Sequence, residues 1–182
     1  QVGDIIRFGA KNFDIIRAVN FQPVSITGRI DRSKLREMRI TVPDFMKLCE
    51  AQTKGEIKVS DFFPVPTVVP ISMAVGALKG SRFPELTAHP HCGVATFVFV
   101  QGKKITPVTR YANVDGFMKT LEKTYENAKN GATIKAKMRL IGSLRHVKLS
   151  LLRELISMIL TTGSFEALSH FTYKTILIGC MH

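Results

Sequence analysis

The chain has 182 residues, enough for one domain or two small ones with a real buried core. Apolar residues make up 45% of it, and no run approaches the roughly 18 uninterrupted apolar residues of a membrane span. The net charge of +12 is uneven: from Lys119 to Glu154, nine Lys or Arg face three Glu. Such a segment attracts nucleic acid or an anionic lipid surface, or simply forms a solvated helical face. Interleaved aromatics and nucleic-acid motifs are missing from it, so no nucleic-acid partner is expected. Cys49, Cys92 and Cys180 are too few and too scattered for a disulfide framework, which points to a reducing, cytoplasmic compartment. Gln1-Val2-Gly3-Asp4 lacks the features of a signal peptide, and without an initiating Met the chain reads as a piece of something longer.

In chain order, Gln1 to Lys11 suits a helix with Val2, Ile5, Ile6 and Phe8 on one side and Asn12 ending it. Ile16 to Gln22 is a strand closed by Pro23, and helix followed by apolar strand is the unit of an α/β barrel or parallel sheet. Ser25 to Thr41 is loop with a short helix at Ser33 to Met38. Thr41 caps a helix with Pro43 and Asp44 in its first turn, running to Thr53 and stopped by Gly55. Three prolines make Asp61 to Pro70 an extended connector and a subdomain boundary. Ser72 is placed as the cap of a short helix ending at Lys79, before Gly80.

Ala95 to Val100 and Lys104 to Thr109 form a hairpin around Gln101-Gly102-Lys103. Helices follow at Val114 to Lys129 (Val114, Phe117, Leu121, Tyr125 and Ala128 on one face), Thr133 to Ile141 and Val147 to Leu160. The third is apolar nearly all round, which suits a buried helix or the lining of a lipid-sized cavity. A short helix runs from Gly163 to His170, and Tyr173 to Ile178 is a final strand before Gly179-Cys180-Met181-His182. Thiol and imidazole at a strand tip make truncation of the last domain an expectation.

His89-Pro90-His91-Cys92-Gly93 places two imidazoles and a thiol within four residues, beside a Gly that permits close approach of a bulky group. Imidazole and thiolate bind zinc, and thiolates hold iron–sulfur clusters; solvated loop histidines are the plain alternative. Cys92 and Cys180 each flank a Gly at the edge of an expected strand, where a ligand can project. Two thiolates do not complete a four-iron site. Cys49 is in helical register with Phe45 and Leu48 and reads as a small buried hydrophobe. Asn20 and Gln22 project to one side of their strand, either facing a ligand-binding mouth or bonded to nearby backbone. Arg29, Asp31 and Arg32 suit a carboxylate or phosphate, or solvent. His146 and His170 read as surface or capping residues. There is no nucleophile elbow, P-loop, dinucleotide fingerprint or two-histidine zinc helix.

The stretch from Val19 to Arg29 resembles the last part of a radical S-adenosylmethionine (SAM) barrel. Phe63 to Ser72, His89 to Gly93 and Ile178 to His182 are similar to the same family, the archaeal group of tetraether (macrocyclic archaeol) lipid synthases and pterin methyltransferase-like proteins. The resemblance implies an α/β fold: the C-terminal end of a partial (β/α) barrel over residues 1–60, then a truncated α+β extension over 61–182 carrying auxiliary-cluster ligands. It further implies an enzyme that uses a 5′-deoxyadenosyl radical for C–H activation, with SAM and 4Fe–4S clusters as cofactors. Asn20 and Gln22 would border SAM, and Cys92 and Cys180 would ligate a cluster. The family's C-x-x-x-C-x-x-C motif is absent, so the chain alone is expected to be inactive.

Lipid carbon–carbon coupling is the first expected reaction and pterin methylation the second. The implied partners are a small-molecule or lipid substrate and an electron donor protein, with peripheral membrane contact as a further expectation. Two rivals stand beside this reading: a non-enzymatic basic module binding nucleic acid or membrane through Lys119 to Arg153, and a zinc site at His89, His91 and Cys92.

Overall fold

The first helix, α1 (Val2–Lys11), opens the chain where the apolar periodicity places it. Asn12 ends it, its side-chain amide donating to the Phe8 carbonyl at 2.8 Å. The buried stripe differs from the expected one. Gly3, Ile6, Gly9 and Ala10 are buried, whereas Ile5 and Phe8 are exposed. Small residues win this face because α1 lies close against its neighbours: a Cβ on Gly3 would stand 2.8 Å from the Cβ of Gln52.

This computed structural model describes residues 1–24, 26, 28–29, 31–79, 89, 91, 93–153 and 175–181. The architecture is mixed α/β. The chain forms two compact units, one of Gln1–Pro64, His91–Pro107 and Tyr173–His182, the other of Val65–Pro90 and Val108–Thr172. The chain first passes between them inside the proline-bearing connector, and the first unit takes strands from both sides of residue 60.

That first unit is built on a five-stranded sheet. Its strands are β1 (Ala18–Phe21), β2 (Phe63–Pro64), β3 (Gly93–Gln101), β4 (Lys104–Pro107) and β5 (Thr175–Met181), in the order β1-β5-β3-β2 with β4 also on β3. β1 pairs parallel with β5; the other pairs are antiparallel. The hairpin forms as expected, its turn allowed by Gly102 at φ 62°. β1 is shorter than its apolar run. β5 is longer, continuing through Gly179 and Cys180 because the ladders to β1 and β3 hold it on both sides.

Helix α2 (Arg32–Met38) follows an Asp31 cap, and α3 (Val42–Gln52) begins with a reciprocal capping box between Thr41 and Asp44. The Thr41 hydrogen bonds hold the Asp44 carboxyl below the usual carboxylate range. α1 and α3 cover one face of the sheet. Ile6, Phe45, Cys49, Ile57, Val98, Ile176 and Ile178, each at most 2% exposed, form the core there. Phe21 and Phe45 meet at 4.9 Å between ring centroids, joining β1 to α3.

The second unit contains α4 (Val68–Lys79), α5 (Val114–Lys129) and α6 (Thr133–Gly142), with α4 and α6 packed on α5. Ser72 does not cap α4; it lies inside the helix and its hydroxyl donates back to the Val69 carbonyl at 3.0 Å. α5 matches its expected bounds, with Asn113 as cap. Its deepest residues are Leu121, Thr120 and Thr124. The threonines tolerate burial because each hydroxyl donates to a carbonyl one turn back, at 2.9 and 2.8 Å. Residues 149–153 are helical, and the remainder of the apolar helix expected to reach Leu160, with the short helix to His170, lies outside the described residues. No helix among the described residues is long and apolar enough to cross a membrane.

Candidate functional site

At the C-terminal end of β1 the side chains alternate: Ala18 and Asn20 are exposed, Val19 and Phe21 half-buried toward the core. Gln22 follows, exposed. Asn20 pairs with Gly179 on β5, which pairs in turn with Ala95 on β3. The Asn20 carboxamide lies over the glycine: a Cβ on Gly179 would meet Asn20 Oδ1 at 3.3 Å and Met181 Cε at 3.5 Å. Asn20 therefore rests its amide on a floor of small residues. Farther along the same face, Phe97 stays 42% exposed and stacks on Phe63 at 6.5 Å. An amide both donates and accepts, so this edge suits a polar ligand with mixed hydrogen-bonding groups, such as an amino acid or nucleoside moiety.

Cys180 lies elsewhere. It is inside β5, opposite Phe21 and Val94, on the core face, and it is fully buried together with Cys49. Burial pushes the Cys180 thiol up, and burial with the neighbouring Cys180 pushes Cys49 up to about 12. A cluster or zinc takes thiolates, and this environment favours the protonated form. Cys49 is the buried hydrophobe its helical register indicates. Among the described residues no group of three or more His, Cys, Asp or Glu converges on a metal-sized site, and Cys180 lies in the core. Cys92, the second expected ligand, lies outside the described residues. So do Pro90 and His182. His89 and His91 are exposed. Gly93 serves a close approach, but to backbone: a Cβ there would collide with the Cys180 carbonyl oxygen.

Of the polar loop residues, Asp31 is used structurally. Its carboxylate accepts from the Ser33 backbone N–H at 3.0 Å, and that bond holds its carboxyl below the usual range. Arg29 is exposed.

The second unit holds a cavity of about 620 Å³ between α5, α6 and the turn Ser143–His146. His146, expected to be a surface or capping residue, lies at its wall. Its ring occupies the space a side chain on Gly116 would take, 2.6 Å from the ideal Cβ, and its Nε2 is 3.0 Å from Thr120 Oγ1. Arg145 Nε donates to the same nitrogen at 3.3 Å. The sequence signal for this site is the spacing Gly116, Lys119, Thr120, Lys123 on α5, repeated as Lys135, Met138, Arg139, Gly142 on α6. Each set falls on one helical face.

No family model matches the chain. The chain is similar to 7,8-dihydro-6-hydroxymethylpterin dimethyltransferase of Methanocaldococcus jannaschii. The identity is 41% over an alignment of 199 positions, which takes in all of this chain and 38% of that protein. The chain therefore spans under two-fifths of the length of this relative. The similarity runs through both units, so the sheet edge at Asn20 and the cavity at His146 both fall inside the shared region.

Proposed function

We propose that this chain is the substrate- and cofactor-contacting part of a radical SAM methyltransferase that acts on a pterin. The observation that carries the reading is the similarity along the whole chain to a protein named for dimethylation of 7,8-dihydro-6-hydroxymethylpterin. Lipid carbon–carbon coupling, the first expectation, gains nothing from a relative named for a pterin. Pterin methylation moves ahead of it.

In this reading β1 is a strand of the enzyme's barrel, and Asn20 and Gln22 hold the polar end of SAM by their amides. Gly179 keeps the space over the strand edge open, and any larger residue would push into Asn20. When bound, SAM supplies the 5′-deoxyadenosyl radical and, from a second molecule, the methyl group. The protein's part is to orient it against the pterin and to exclude water. The stacked Phe63 and Phe97 offer a flat apolar surface for a heteroaromatic ring. Cys92 keeps its proposed part in holding a cluster. Cys180 takes that part only if the end of β5 leaves the core.

The test uses the full-length gene product that contains this sequence, purified without oxygen and supplied with methyl-labelled SAM and 7,8-dihydro-6-hydroxymethylpterin. Label in the pterin, read by mass spectrometry, supports the reading. SAM binding weakened about tenfold by Asn20→Ala, the scale of one lost hydrogen bond to a charged group, supports the amide assignment. Saturable SAM binding with no labelled pterin refutes the substrate. Iron content that falls in Cys92→Ala but not in Cys180→Ala would leave Cys180 as a core residue.

A further inference from the structure

The cavity between α5 and α6 is lined by five cations, Lys119 and Lys123 on α5, Lys135 and Arg139 on α6, and Arg145 just beyond it. Among the described residues no carboxylate lines it and none of the five is in an ion pair. Two features make this costly if the helices were arranged for stability alone. Lys119–Lys123 and Lys135–Arg139 are like-charge pairs at i,i+4, which oppose helix formation. Lys135 also sits in the first turn of α6, where no acidic residue is present and the helix dipole disfavours a cation. The acids of α5, Asp115, Glu122 and Glu126, lie outside the cavity lining, so the charge facing the cavity from the described residues is of one sign.

The cavity is also built. His146 Nε2 accepts from Arg145 Nε, which holds the arginine at the rim. Gly116 is required for that arrangement, since any side chain there would displace the imidazole. Arg139 is half-buried, unlike the lysines, so its planar donor fork is presented from the wall of the cavity. A volume of about 620 Å³ falls within the range of small-molecule sites. Guanidinium forks with lysine point charges are the combination that recognises phosphate oxygens. Met138 on the same lining gives an apolar contact for the remainder of the molecule.

We propose that this cavity binds the phosphoryl or diphosphate group of a small anionic molecule. The proposal does not depend on the pterin methyltransferase reading, and its test needs neither SAM nor iron.

The full chain is titrated with inorganic diphosphate by calorimetry, alongside Lys135→Gln and Arg139→Gln. Lys129→Gln and Lys137→Gln serve as controls, because they remove the same charge from the same two helices outside the cavity. Circular dichroism of each variant checks that it folds. The expected result is saturable one-to-one binding, weakened about tenfold by each cavity substitution and unchanged by the controls. A parallel arm uses phosphatidylcholine vesicles doped with phosphatidic acid. Binding to vesicles alone, lost in the same two variants, assigns the phosphoryl group to a lipid headgroup rather than a soluble ester. Binding of neither probe, or equal weakening by cavity and control substitutions, overturns the proposal. So does tight capture of a single-stranded oligonucleotide that diphosphate does not displace.

Discussion

The sheet of the first unit and the cavity of the second treat their chemically capable residues in opposite ways. On the core face of the sheet, two thiols are buried among Ile176, Ile178 and Phe45, and burial raises both above the ordinary thiol range. Around the cavity, five cations are gathered with no carboxylate among the described lining residues, so their charge faces the cavity uncompensated from the lining. The contrast shows that residue type alone is a poor guide to function. A cysteine is a ligand only where a thiolate is tolerated, and a lysine cluster is a site only where its charges converge without compensation.

The largest test of the contrast lies within the sheet. Ile178 is 1% exposed on the core face, while its neighbour Leu177 is half-buried on the other. Ile178→Ala should cost about 3 kcal/mol by removing methylenes from a packed site, and Leu177→Ala about 1 kcal/mol. Urea unfolding of both variants reads the difference. Equal losses would mean that the Leu177 face is as fully covered as the core.

Next in size is the behaviour of the thiols. Cys49 is raised from an ordinary 9.0 to about 12 in the folded chain. The unfolded chain therefore loses that proton first as pH rises. Between pH 9 and about 12 the unfolded state binds fewer protons than the folded one, and stability falls with increasing pH. The contribution is intact below pH 9. The informative quantity is the difference in alkaline slope between the parent and Cys49→Ala, which should be shallower. In a Cys92→Ala background, iodoacetamide at neutral pH should leave Cys49 and Cys180 unmodified until denaturant is added. Rapid native labelling of Cys180 would show that the end of β5 opens, and would return Cys180 to consideration as a ligand.

How far these features were legible in the sequence follows from what decides each one. The Thr41 cap with Asp44 in the first turn and the Gly102 turn are local, and residue chemistry alone locates them. The strand edge at Asn20 was legible because alternation along an apolar run is also local. The reach of β5 was not: Gly179 and Cys180 carry little strand preference, and their pairing is imposed by β1 and β3 from distant parts of the chain. Reading Cys180 as a strand-tip ligand followed from ending that strand at Ile178. The basic segment was visible as charge, but its cavity was not. Which face of α5 meets α6 depends on tertiary packing, and His146 joins the wall through the space left at Gly116.

The smallest effect tests the cavity side of the contrast. Lys135→Gln removes a cation from the first turn of α6 and relieves its repulsion with Arg139 one turn on. If the charge is held for binding, the substitution should raise stability by about 0.3–0.8 kcal/mol at low salt while weakening diphosphate binding. Raising the salt should shrink the stability gain, since both terms are screened at the surface. Thermal unfolding of the two proteins at low and high ionic strength makes the comparison. A loss of stability instead would mean that the lysine stem packs for structural reasons, and the cluster would then need no ligand to explain it. A gain in stability paired with a loss of binding is the signature of charges kept at the expense of the fold, the reverse of what burial does to Cys49 and Cys180.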